Sequence, residues 1–179
     1  MSDHTEDWAS LMLDGNGLAR LGPESRAGAR LERECRDLAA KQTQALGIPS
    51  DKGQVLLAAL LLWNDHLGAS HSISQSLHGA DGSLLHGWMH RREPDYFNAK
   101  YWVRQTGRHP LYPALAEAAA AALDNAPDLR DRLVKAGCWD AGGMVEAVEA
   151  ALGGRRKEWI QPLQEVQRLE VLLLLRSLG

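Results

Sequence analysis

The chain has 179 residues, of which 24% are charged and 45% apolar, a globular balance that excludes a disordered, collagen-like or fibrous protein. Twenty Lys and Arg against 23 Asp and Glu leave a formal net charge of −3, which argues against a surface built to bind polyanions, nucleic acid included. A chain of this length can remove about 70% of its unfolded surface from water, so one domain with a real core needs neither metal nor disulfide staples.

The first 26 residues mix Asp, Gly, Pro and Ser with scattered Leu, and read as a loosely structured leader ahead of a helical domain over 27–179. The opening MSDHTEDWAS has neither the basic start nor the apolar stretch of a signal peptide. From Ala27 the texture changes: Leu31, Cys35 and Leu38 recur at spacings of four and three, which predicts an amphipathic helix ending at Gly47, before Pro49. Ser50 or Asp51 can cap the next helix, predicted to run unbroken through QVLLAALLLWNDHLGAS and to sit in the middle of a bundle. Its apolar run, Val55 to Trp63, is nine residues long, short of the about 20 that a membrane-spanning helix needs.

Asp81-Gly82 reads as a turn and Ser83 as the N-cap of a short helix, LLHGWMHRRE, stopped by Pro94. Asp95 restarts a helix, YFNAKYWVRQT, closed by Gly107. Pro113 sits in the first turn of an alanine-rich helix, and PDLRDRLVKAG and GMVEAVEAALG each read as a helix closed by glycine. The last helix, RKEWIQPLQEVQRLEVLLLLRSL, sets Trp159, Leu163, Val166 and Leu173 on one side. No segment alternates with period two. The expected fold is all-α, a single-domain bundle of seven or eight helices. Cys35 and Cys138 lack any C-x-x-C spacing and read as two buried free thiols of a soluble, cytoplasmic protein without membrane association.

Chemistry-bearing residues crowd into 63–109. Six of the seven histidines fall there (His66, His71, His78, His86, His90, His109), with Asp65, Glu93, Asp95, Arg91, Arg92, Lys100, Arg104 and Arg108. Trp63, Trp88, Tyr96, Phe97, Tyr101 and Trp102 lie in the same stretch, and a pocket needs a few convergent polar groups among apolar walls. At about 100° per residue, His90 lies about 40° from His86 and Glu93 about 20° on the other side, so the three share one helix face. Two imidazoles and a carboxylate suit a divalent transition metal, zinc, iron or manganese, with His66 or His71 completing the set. Asp65 could deprotonate a bound water or orient an imidazole. Two other readings stay open: a structural seam of hydrogen-bonded histidines, and a metal-free site in which His66, His71, Asp65 and Glu93 act as acid or base.

Lys100, Arg104 and Arg108 step by four along one helix, behind Arg91-Arg92. With Trp88 and Tyr101 they are candidates for binding a small anionic ligand, although cations near a helix C-terminus also favour its dipole without a ligand. No phosphate-loop, dinucleotide-binding or serine-elbow motif is present.

Through WNDHLGASH, GSLLHGWMHRREPDYFNAKYW and RQTGRHP the chain resembles a family of small uncharacterised microbial proteins that share W-x-D-x-L-x-x-S-H followed by G-S-x-x-H-x-x-M-H-R-R-E-P-D-x-x-N-A-K-Y-W. The resemblance spans roughly residues 60–112 and implies one contiguous site, with no activity or cofactor attached to it. Asn64 stands where that pattern carries His, which removes one potential ligand. Two functions are thus expected as alternatives. One is a metal-dependent or acid/base enzyme, hydrolytic or lyase-type, acting on a small anionic compound. The other is a non-catalytic, homo-oligomeric helical interaction module, for which VLLLLRSL is the discriminating segment: its five consecutive apolar residues need covering by the chain's own core or by a neighbour.

Overall fold

The computed structural model describes residues 18–23 and 30–179. Most of the expected leader, and the first residues of the expected first helix, lie outside the described residues. Nine α-helices are found among those described, with a two-stranded hairpin: α1 (Glu32–Leu46), α2 (Ser50–Trp63), α3 (Leu67–Ser74), α4 (Ala80–Arg92), α5 (Tyr96–Thr106), α6 (Tyr112–Ala122), α7 (Pro127–Leu133), β1 (Val134–Lys135), β2 (Cys138–Trp139), α8 (Ala141–Leu152) and α9 (Ile160–Arg176). A single 3₁₀ turn, Lys157–Trp159, leads into α9. The chain is a mostly helical single domain, as expected in outline, with nine helices among the described residues instead of seven or eight and a short hairpin that was not expected.

Helix α1 ends where its glycine predicts, with Gly47 in the left-handed region at φ 63°. The expected long central helix is two helices. Its apolar half, Val55–Trp63, is buried throughout as α2. At Asp65 the backbone takes φ 67°, unusual for a side chain with a Cβ, and the chain turns before α3 begins. Asn64 makes the break tolerable: its amide donates to the Leu60 carbonyl and its Oδ1 accepts the Arg30 N–H. Ser50 is the first residue of α2 and does not cap it; Pro49 holds that position.

Helix α4 starts earlier than the Asp81-Gly82 pair suggests. Gly79, at φ 94°, makes the turn, and Asp81 and Gly82 lie in the first helical turn. The reason for glycine at 82 is steric: a Cβ there would lie 2.5 Å from the Leu77 carbonyl oxygen. Gly82→Ala is therefore expected to cost about 2 kcal/mol in urea denaturation. Gly87→Ala, whose Cβ would meet nothing closer than 3.5 Å, should cost nothing and gain up to about 1 kcal/mol of helix propensity. Equal losses at both positions would contradict this account. The Asp95 cap of α5 is as expected, its carboxylate accepting the Asn98 N–H at 3.2 Å.

PDLRDRLVKAG is only half helical. After Leu133 the chain enters a tight hairpin through Ala136 and Gly137, both at positive φ, with Val134 paired to Trp139 and Lys135 to Cys138. Two-residue strands are too short to show alternation in the sequence. Cys138 is exposed on this hairpin, against the expectation of two buried thiols; Cys35 is buried.

Two apolar clusters form the core. One gathers α1, α2, the Leu84–Met89 part of α4 and the C-terminal half of α9; the other gathers α6, α7, α8, Trp159 and the N-terminal half of α9. Leu173, expected on the buried side of α9, is half-buried and touches both. Val171, Leu172, Leu174 and Leu175 are covered by the chain's own core, so VLLLLRSL needs no neighbour to hide it. Of residues 18–23, which form no helix or strand, Ala19 is buried in the first cluster and Leu21 in the second. Among the described residues no helix is long and apolar enough to cross a membrane.

Candidate metal centre

The break at 64–66 folds α3 back so that it packs against both α2 and α4. Ser70, buried on α3, ties it to α2 by donating to the Ala58 carbonyl at 2.9 Å. That turn carries His71 onto the face of α4 that bears His86 and His90. One ring nitrogen from each of the three histidines lies within 4.8 Å of the others. The rings meet at centroid distances of 4.6 Å (His71–His86), 5.3 Å (His71–His90) and 5.1 Å (His86–His90), the last pair nearly parallel. Trp102 of α5 lies flat on His86, 4.0 Å between centroids and 9° between planes.

This grouping leaves polar atoms unsatisfied. His86 and His90 are both buried, and the Nδ1 of each has no hydrogen-bond partner, a state that buried polar atoms seldom keep without a reason. His71 is half-buried and accepts from the Gln75 side-chain amide at 3.1 Å. Burial pushes the His86 imidazole down to about 4, helped by the two neighbouring rings. Burial lowers His90 too, with Asp95 and Glu93 pulling the other way. Neutral imidazole is the form that binds a metal.

The three donors fit a divalent transition ion. Imidazole suits zinc, copper, iron and nickel, and three protein ligands with an open position is the usual catalytic arrangement. In a tetrahedral zinc site the nitrogens stand about 3.3 Å apart, so the trio needs to close by about 1.5 Å at most.

The other candidates are distributed differently. Glu93 is exposed, with Oε2 3.6 Å from His90 Nδ1; Asp95 Oδ2 is 3.8 Å from the same atom. Asp95 is committed to Asn98, whose backbone and side-chain N–H groups hold its carboxyl below the usual range. Asp65, expected to orient an imidazole, instead accepts from Arg92 at 2.7 Å. His66 does not join the trio: its Nε2 is 2.7 Å from the Arg30 carbonyl. Arg91 grips Glu170 with both guanidinium arms, deep in the protein. Trp88 is core, beside Arg91. Lys100 reaches Glu149, 3.4 Å away on α8. Arg104 is exposed, and Tyr101 stands edge-on to Trp102 at 5.3 Å. Of the expected ligand-binding set, Tyr101 is linked to the trio through ring contacts, by way of Trp102.

His109 serves structure. Its Nε2–H donates to Asp81 at 2.8 Å, its Nδ1 accepts the Leu111 N–H, and with Lys52 it holds the Asp81 carboxyl down at about 2. Trp102 was visible in the sequence as one aromatic among six; nothing there singled it out as the ring resting on His86. Comparisons with protein-family models, with curated proteins and with solved structures give no match.

Proposed function

We propose that the protein is a metalloprotein in which His71, His86 and His90 hold one divalent transition ion, zinc, iron or manganese, for hydrolytic or lyase-type chemistry on a small molecule. The observation that carries this is the convergence of three imidazoles from two helices, two of them buried with Nδ1 atoms that make no hydrogen bond. Held there with open positions, the ion supplies Lewis acidity at neutral pH. Glu93, exposed and 3.6 Å from His90, would take a proton, and Trp102 lies flat against the His86 ring. The guanidinium groups expected to select an anion, Arg91 and Arg92, are engaged with Glu170 and Asp65, so anion selection loses two of its carriers.

The test is calorimetric titration of metal-free, untagged protein with zinc, iron(II) and manganese. One equivalent of at least one of them is expected to bind, and the melting temperature to rise; at a free concentration 100-fold above Kd the gain is about 2.7 kcal/mol. His86→Ala and His90→Ala should each weaken that binding at least 100-fold, while His66→Ala should not. Absence of stoichiometric binding by all three ions, or binding indifferent to His86→Ala, would end the proposal.

A further inference from the structure

Helix α5 carries its aromatic residues in an unusual way. The chain's single phenylalanine, Phe97, is 80% exposed, and Tyr101, four residues on and thus on the same helix face, is 43% exposed. Leaving a phenylalanine in water forgoes about 2 kcal/mol of burial. Among the described residues the other exposed large apolar residues, Leu31 and Leu152, stand far apart in the chain, whereas Phe97 and Tyr101 share one helix face. They also lead somewhere. Tyr101 meets Trp102 edge-on at 5.3 Å, and Trp102 lies on His86 at 4.0 Å. The result is an aromatic track from solvent to a ring of the histidine trio.

We propose that Phe97, Tyr101 and Trp102 form a subsite for an aromatic ring carried by the small molecule whose other end meets the trio; this rests on the metal reading above. An edge-to-face or offset ring on this ledge gains about 0.5–1.5 kcal/mol per partner beyond the area it buries. The surface open to such a ring is that of Phe97 and Tyr101, both exposed. The track ends at the metal ligands, so its occupant is the reacting molecule and not a bystander.

The probes are two hydroxamates that share a metal-chelating head: acetohydroxamate, and 3-phenylpropionohydroxamate, whose phenyl group reaches along the ledge. Zinc binding is titrated first, then each probe is titrated into the zinc-loaded protein and into a Phe97→Ala/Tyr101→Ala double variant. The phenyl probe is expected to bind at least ten-fold more tightly than the methyl one. The double variant should cut that preference below three-fold, with the acetohydroxamate affinity and the melting temperature unchanged. A preference below three-fold in the parent, or one that survives the double substitution, would overturn the subsite while leaving the metal site standing. A parent dimer that the double variant dissolves would assign the ledge to a second copy of the chain and also overturn it. Failure of zinc, iron(II) and manganese alike to bind would remove both readings together.

Discussion

Glu170→Ala is expected to lower stability by about 3–5 kcal/mol, the largest effect of any single substitution outside the apolar core. Arg91 and Glu170 have side chains 3% and 1% exposed, and the two guanidinium arms meet the two carboxylate oxygens. Burial pushes the Glu170 carboxyl up while the Arg91 charge pulls it down, so the carboxylate depends on Arg91 for its ionised form. Removing the carboxylate strands a guanidinium with no water to turn to. The paired replacement Arg91→Met/Glu170→Leu should recover most of the loss, because desolvating two charges costs nearly as much as their attraction returns. Urea denaturation of the four corners of this cycle gives the coupling directly. A single-variant loss under 1 kcal/mol would show that the pair is solvated in reality.

Metal-free protein is expected to lose about 3 kcal/mol as pH falls from about 6.5 to about 4. His86 titrates at about 4 in the fold against 6.5 for the free side chain. In that interval the unfolded chain takes up a proton that the folded chain refuses, so stability is complete above the upper value and declines below it. The contribution is one of lost penalty: at neutral pH both states hold the ring uncharged, and acid favours the unfolded one. His86→Gln should flatten this part of the curve. Equilibrium urea titrations at half-unit pH steps would show it, and a parent curve flat between pH 6.5 and 4.5 would mean that the ring is wet.

Much of the fold can be read from residues acting locally. The Leu31–Cys35–Leu38 stripe with Gly47, the Asp95 cap and the nine-residue apolar run each specify their element because the signal lies within one turn or one helix. The break at Asp65 does not show, because an apolar run continues into it and its cause is a left-handed backbone held by Asn64. The hairpin at 134–139 is hidden by length. At the site, His86 and His90 declare their shared face by spacing four, whereas His71 joins only through the turn that the sequence conceals. The fates of the arginines were illegible for another reason. Glu170 lies 79 residues from Arg91, and no local pattern links them.

Three consecutive residues of α4 are spoken for in three directions: His90 by the trio, Arg91 by Glu170, Arg92 by Asp65. A twist of this helix by a fraction of a turn would break all three at once. Its register is therefore indexed by partners on α9 and in the turn between α2 and α3, which together fix the backbone from which His86 and His90 project. An ion entering such a centre has no loop to order, so its binding energy is not spent on freezing the chain.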